Sequence, residues 1–331
     1  MNLYIDEVEE IKKERLMGNV GKIISKNIPI IDISYDGEKA KLLSEEIWNA
    51  GISLGFFKII NHGISQETIN AMFRVADKFF SLDVAQKAKY PMKDNMGWKC
   101  QSQVPPSTGK VDQSESLQMR RINKGIFPQI EEIITHYNTI ERFESECMAL
   151  GIQLLSAITG KLEVAPDFFI KSFQSTTNNY NSTLRMLNYF PVEQHMASPQ
   201  LWRAGAHTDF GFLTLLFQRA GQTGLQVCGG RDYLSEEWIP VEADDQSIVC
   251  NIGDMLKRLS GDKLVSNFHR VVIPDGEASM QGRNSIAFFC QPNKDVIISD
   301  PSGNYQQITA GDYFTSRMAA NYSDQKMYMK K

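Results

Sequence analysis

The chain has 331 residues, 42% of them hydrophobic, which is enough to build a sizeable core in one large domain or two small ones. Its 35 basic and 39 acidic residues leave a net charge of -4 with no run of like charge, which argues against nucleic-acid or membrane-surface binding. No apolar stretch approaches the roughly 20 residues that span a bilayer, and residues 1–18 lack a signal-peptide core, so a soluble, cytoplasmic protein is expected.

Residues 28–34, IPIIDIS, predict a short buried strand, and residues 38–50 place Leu43, Ile47 and Trp48 at helical spacing. Residues 55–63, GFFKIINHG, are rich in strand formers and stop at a glycine turn. Ser65 can then cap a helix whose apolar stripe is Ile69, Met72, Phe73, Ala76 and Phe80. Residues 93–125 are polar and predict a long irregular loop, of the kind that is often functional. A long amphipathic helix is expected from near Pro128, burying Ile130, Ile133, Ile134, Tyr137, Leu150, Leu154 and Leu155. From 182 to about 299 the chain consists of short apolar or alternating segments between turn residues, which predicts an antiparallel sandwich or barrel. Residues 311–325 read as a closing helix. The cysteines (Cys100, Cys147, Cys228, Cys250, Cys290) form no CxxC pair and are expected to be structural thiols.

The candidate chemistry lies in residues 205–218, GAHTDFGFLTLLFQ. Ionisable groups beside a hydrophobic strand are costly unless paired or coordinated. In a strand, residues two apart share a face, so His207 and Asp209 are expected to project together. By itself HxD is common, and a buried His–Asp hydrogen bond is its ordinary explanation. A second apolar strand, SNFHRVV, carries His269, one of only five histidines with His62, His136, His195 and His207. Two imidazoles and a carboxylate suit non-heme Fe(II) with open positions, and zinc accepts the same set. Residues 283–285, RNS, then put Arg283 and Ser285 on one face at the head of an apolar strand. A guanidinium fork there holds a carboxylate bidentately, and the hydroxyl adds a further hydrogen bond.

The ordered set HTD, HRVV and RNS resembles the H-x-D…H…R-x-S signature of the 2-oxoglutarate/Fe(II)-dependent oxygenases, in the branch that contains isopenicillin N synthase. GLQV followed by WIPV, NIGDML, GFFKIINHGI, FFSLDVAQKAKY and LNYFP agree as well, so the likeness covers residues 27–320. It implies a mainly β fold with flanking helices: a double-stranded β-helix (jelly-roll) core with helices at both termini. The implied organisation is an N-terminal extension over 1–26, a helical and strand region over 27–130 and a long helix with connector over 131–178. The Fe(II)/2-oxoglutarate core over 179–299 and a C-terminal helix over 300–331 complete one integrated globular domain.

The resemblance also implies roles. His207, Asp209 and His269 would be the catalytic metal ligands, and Arg283 and Ser285 would hold the distal carboxylate of 2-oxoglutarate. Asn188 and Tyr189 match the co-substrate strand, although this chain has Phe190 where many relatives have a tyrosine before the proline. Fe(II) would be the cofactor, with 2-oxoglutarate and O2 as co-substrates. The implied reaction activates a C–H bond of a small metabolite by hydroxylation, desaturation or oxidative ring closure, in specialised-metabolite biosynthesis. An iron oxidase that needs no 2-oxoglutarate is the alternative, since such relatives also carry the R-x-S pair; a non-catalytic jelly-roll binding module is a remoter one. Gln118, Arg120 and Arg121 are candidate anchors for a carboxylated, amino-acid-derived substrate, the competing reading being a solvated basic pair. A monomer is expected. His62 is expected to be a satisfied turn or core histidine, and His136 and His195 to be surface residues.

Overall fold

A computed structural model describes residues 9–34, 40–123, 125–193 and 201–328. In chain order its elements begin with α1 (Glu9–Leu16), β1 (Lys22–Ile23), β2 (Ile30–Asp32), α2 (Ala40–Ser53), β3 (Phe56–Ile60), α3 (Gln66–Phe80) and α4 (Val84–Lys87). There follow β4 (Gly97–Cys100), β5 (Ser114–Ile122), β6 (Gly125–Phe127), α5 (Tyr137–Ala157) and α6 (Phe168–Ser172). The second half holds β7 (Thr183–Tyr189), β8 (Trp202–His207), β9 (Leu213–Gln218), β10 (Leu225–Cys228), β11 (Glu237–Pro240) and β12 (Ile248–Ile252). The last elements are α7 (Asp254–Leu259), β13 (His269–Val272), β14 (Arg283–Cys290), β15 (Ile297–Ile298), β16 (Ile308–Thr309) and α8 (Ala310–Tyr328).

Period-two alternation builds the layers. In β9, β12 and β14 one set of side chains (Leu213, Leu215, Phe217; Ile248, Cys250, Ile252; Ile286, Phe288, Cys290) joins the large core beneath α2, α3 and α5. The other set faces a second sheet, where Val249 of β12 packs with Leu225 and Val227 of β10, Ile239 of β11 and Val271 of β13. Five strands in the order β1-β11-β10-β13-β8 make that second sheet. The larger one runs β2-β3-β12-β9-β14-β7-β5-β4, with β6 beside β5. The two form a double-stranded β-helix flanked by helices. Among the described residues no helix is long and apolar enough to cross a membrane.

α3 starts where its cap predicts, with Ser65 Oγ accepting the Thr68 amide at 3.1 Å, and its apolar stripe is buried as expected. α5 starts later than Pro128. Residues 131–136 form a 3-10 turn, and Tyr137 opens the α-helix by donating its hydroxyl to Pro128 O at 2.5 Å and accepting the Ile130 amide at 2.9 Å. The tighter three-residue turn changes the phase, so Ile134 is 49% exposed rather than buried. At the other end, α8 occupies only part of 300–331, being preceded by a turn and β16.

The larger correction concerns residues 93–125: an irregular loop is present at 101–113 and lines a cavity, but it is flanked by the strands β4 and β5, and Gly125 opens β6. The sequence SESLQMRRI hides a strand because its polar side chains find partners inside the protein. β5 lies between β4 and β7, so both of its edges are paired. Glu115 is held by Lys87 at 2.9 Å, Trp98 at 2.7 Å and Asn188 at 2.9 Å, while Leu117 and Met119 join the core. The cysteines are all free, Cys100 half-buried and the others buried.

Candidate active site

His207 ends β8, and His269 opens β13 as its register partner, so the two rings stand 4.3 Å apart between centroids. Asp209 does not lie on the strand as the two-residue period predicted. The chain leaves the sheet after His207, and the loop that follows is gripped by the start of α7. There the Asp254 amide donates to Asp209 O at 2.8 Å and the Met255 amide to Phe210 O at 3.2 Å, using donors that have no partner inside a helix. Only glycine fits at 253, because a Cβ there would lie 2.3 Å from Gly211 O and 3.0 Å from Asp209 O.

The loop returns the carboxylate to the histidines. His207 Nε2 lies 4.0 Å from Asp209 Oδ1, and the ligand atoms of His207, Asp209 and His269 all fall within 4.8 Å of one another. The remaining donors and acceptors fix their orientation. Thr214 donates to Asp209 Oδ2 at 2.6 Å and Asn251 to the same oxygen at 2.7 Å, which leaves Oδ1 for the histidine side. His207 Nδ1 lies 2.8 Å from Gly205 O and His269 Nδ1 3.4 Å from Asn267 O, pairings that turn each Nε2 inward. Burial, then the His269 ring, pushes His207 down to about 4, so it is neutral and able to ligate. Burial would raise the Asp209 carboxyl, but both imidazoles and the two side-chain donors outweigh it and hold it below its ordinary value. A neutral His207 imidazole and an ionised Asp209 carboxylate, with the His269 ring beside them, suit a divalent cation.

Arg283 and Ser285 share the inter-sheet face of β14. Arg283 is 1% exposed, donates to Gln218 Oε1 at 2.6 Å and lies 4.7 Å from the Tyr189 ring centre. Ser285 Oγ is 3.4 Å from its Nη1. Arg283 Nε is buried without a partner, and no carboxylate of the described residues pairs with this guanidinium. Burial lowers its pKa accordingly. A buried cation of this kind is completed by an anion entering from the cavity, so the residues present fit the distal carboxylate of 2-oxoglutarate. Asn188 is on the opposite face of β7, bonded to Glu115, whereas Tyr189 faces the cavity.

The cavity has a volume of about 200 Å³ and runs between the sheets from Arg283 and Tyr189 to the His207–Asp209–His269 cluster. None of Gln118, Arg120 and Arg121 lines it. Arg121 lies on the helix side of β5 and pairs with Glu144 of α5 at 2.6 Å. Arg120 is buried, and Gln118 accepts from Arg185 Nε at 2.6 Å while donating to Asn95 O. His62 follows β3 outside the cavity, its Nδ1 buried without a partner rather than satisfied. His136 ends the 3-10 turn near Lys78, and His195 lies outside the described residues.

Sequence reading missed the polar groups behind the cluster. Arg317 of α8 pairs with Glu14 of α1 at 3.1 Å and with Asp254 of α7 at 3.3 Å, and donates to Thr208 at 3.2 Å. Burial raises Glu14 to about 7 and Asp254 to about 6, with Arg317 opposing both. These residues are far apart in the chain, and nothing in their local sequence marks them. Asn251 had a signal, the NIGD segment, but no role could be read from it.

A jelly roll with two histidines and a carboxylate at one end of its cavity, and at the other an arginine that no carboxylate of the described residues neutralises, defines a non-heme iron oxygenase. Residues 175–292 match the family model for the 2OG-Fe(II) oxygenase superfamily, and residues 28–134 match that for the non-haem dioxygenase in morphine synthesis N-terminal region. A proline hydroxylase from Petromyces alliaceus is 33% identical, covering 84% of this chain and 93% of that protein. A homoarginine-6-hydroxylase from Arabidopsis thaliana is 28% identical, covering 90% of this chain and 98% of its own. The crystal structure of a full-length Neurospora crassa protein in complex with alpha-KG and 5-formyluracil superposes with a TM-score of 0.75 at 29% identity, covering 90% of this chain and 98% of that one. The chain belongs to the 2OG-Fe(II) oxygenase superfamily. It is a non-heme Fe(II)- and 2-oxoglutarate-dependent dioxygenase acting on a small-molecule substrate, with O2 as the other co-substrate.

Proposed function

We propose that His207, Asp209 and His269 bind the catalytic Fe(II), and that Arg283 and Ser285, flanked by Tyr189, hold the distal carboxylate of 2-oxoglutarate. The observation that carries this reading is the convergence of the three ligand atoms within 4.8 Å. The bound iron supplies the one-electron and O2 chemistry. The chain's own residues do the rest. Thr214 and Asn251 present one Asp209 oxygen to the metal, and the carbonyls of Gly205 and Asn267 hold the imidazole rings. Arg283, kept in line by Gln218, fixes the co-substrate from the far end. The apolar walls (Phe56, Leu216, Leu225, Val271) exclude water from the reacting C–H bond.

The substrate is a small, amino-acid-derived metabolite of specialised metabolism that carries a carboxylate. Relatives named for proline and homoarginine hydroxylation support that class. The enzyme works as a cytoplasmic monomer and a single globular unit. The test is anaerobic Fe(II) titration with 2-oxoglutarate added last. A metal-to-ligand charge-transfer band that is present in the wild type and absent in His207→Ala is expected. Iron uptake without that band, and no succinate in air, would instead favour the 2-oxoglutarate-independent oxidase.

A further inference from the structure

β8 is the last strand of the small sheet and pairs with β13 along one edge only. Backbone groups on its other edge must find partners elsewhere. In an extended strand the N–H and C=O of one residue point to the same edge. At Gly205, which the β13 register skips, both groups are used. The N–H donates to Asp112 Oδ1 at 3.0 Å, and the C=O faces Nδ1 of His207 at 2.8 Å. One residue of the edge thus joins a buried carboxyl to the metal cluster.

Asp112 reaches this edge from the loop at 101–113, which is laid along β8 at several points. The Gln113 amide donates to Trp202 O at 3.3 Å, and Ser107 Oγ donates to Ala206 O at 3.4 Å. Glycine at 205 makes the approach possible, since a Cβ there would lie 2.4 Å from Cβ and Cγ of Pro105. Residues 101–106 of the same loop wall the cavity. The wall that a substrate meets and the clamp on Gly205 are therefore one piece of chain.

Asp112 is 7% exposed and meets one backbone donor, the Gly205 amide. Burial pushes its carboxyl up to about 8, against that amide and Lys99, and pushes Lys99 down to about 7, so neither is fully ionised near neutrality. The hydrogen bond to Gly205 survives in either form, because a carboxyl keeps an acceptor oxygen whether or not it is protonated. A buried carboxyl with so few donors is costly. What it secures here is the direction of one carbonyl.

We propose that Asp112 is a positioning residue for the metal: by anchoring the Gly205 amide it aims the Gly205 carbonyl at His207 Nδ1 and keeps Nε2 turned towards the Fe(II). This rests on the reading of His207 as a ligand.

The experiment measures Fe(II) affinity by anaerobic competition with a chelator, and exchange of the Gly205 amide in the metal-free enzyme by NMR. The wild-type amide should exchange slowly, as a donor closed by Asp112. Asp112→Ala should weaken Fe(II) binding by about 10-fold, the lower end of what partners of a metal ligand contribute, and should speed that exchange. Asp112→Asn keeps the acceptor oxygen without the charge and should stay within threefold of wild type in both measurements. Asp112→Ser, whose oxygen stops short of the amide, serves if the alanine variant does not fold. An alanine or serine variant within threefold of wild type, an asparagine variant more than threefold weaker, or a fast-exchanging Gly205 amide in the wild type overturns the assignment. His207→Ala separates the two readings: if it binds Fe(II) as the wild type does, the metal reading itself has failed.

Discussion

Asn251 of β12 donates to Asp209 Oδ2 at 2.7 Å, reaching from the large sheet to a loop that leaves the small one. This hydrogen bond, with that of Thr214, decides which carboxylate oxygen faces the histidines. Partners of a metal ligand are typically worth about 10- to 100-fold in metal affinity. Asn251→Ala is therefore expected to weaken Fe(II) binding by about that factor while leaving the fold intact, measured by anaerobic competition with a chelator. A change of less than twofold would mean that Asp209 is oriented by its loop alone.

Arg283 offers a fork to an incoming carboxylate, and among the described residues no carboxylate pairs with it. Truncating one side of a buried charged pair costs about 2–5 kcal/mol, so Arg283→Leu should raise the 2-oxoglutarate Kd by at least about 30-fold. Arg283→Lys keeps the charge but not the fork and should fall between. Fe(II) affinity without 2-oxoglutarate should be nearly unchanged in both, because Arg283 is at the opposite end of the cavity.

Gly151 marks where α5 crosses β14. A Cβ there would lie 2.4 Å from Cys290 Sγ, deep in the large core. Gly→Ala inside a helix ordinarily gains up to about 1 kcal/mol. Here overpacking should win, and Gly151→Ala is expected to cost about 1–3 kcal/mol in chemical denaturation. Adding Cys290→Ala removes the obstructing sulfur, so the double variant should be more stable than the sum of its singles predicts.

Arg317 joins α8, α1 and α7 behind the metal loop and is 0% exposed. Arg317→Met strands Glu14 and Asp254 in the core, a loss of about 3–5 kcal/mol by analogy with broken buried pairs. The penalty should depend on pH. Both carboxyls already have folded pKa values above their ordinary ones, about 7 and about 6, and losing the cation raises them further. A carboxyl whose folded pKa is raised binds its proton more tightly in the native state, so its contribution declines as pH rises towards that pKa. The variant should then be nearest to wild type at pH 5.5 and furthest at pH 8, followed by thermal melts. A pH-independent difference would show that the carboxylates do not feel the substitution.

Some of this was legible in the linear chain because it depends on neighbours in sequence. Ser65 caps α3 and the stripe from Ile69 to Phe80 is buried, since capping and periodicity act within a few residues. Strand alternation likewise set Arg283 and Ser285 on one face. For Asp209 the same rule placed the carboxylate beside His207 for the wrong reason, because the strand ends at His207 and the α7 amides bend the loop back. β5 was hidden, since Glu115 and Gln118 look solvent-bound until Lys87, Trp98 and Arg185 are brought to them.

The resemblance carried by HTD, HRVV and RNS implied the jelly-roll class; by itself the sequence indicated the helices and the candidate residues for the metal cluster and the co-substrate arginine. Those depend on short-range periodicity and on residue types whose chemistry admits few uses. Only the tertiary structure decided which oxygen of Asp209 is presented and that Arg121 is spent on Glu144 rather than on substrate. It also brought Lys99 and Arg185 to one wall of the cavity. The physical reason is that charge and hydrogen-bond partnership are settled across the sheets. Residues 99, 118 and 185 become neighbours there through strand register, which no local pattern records.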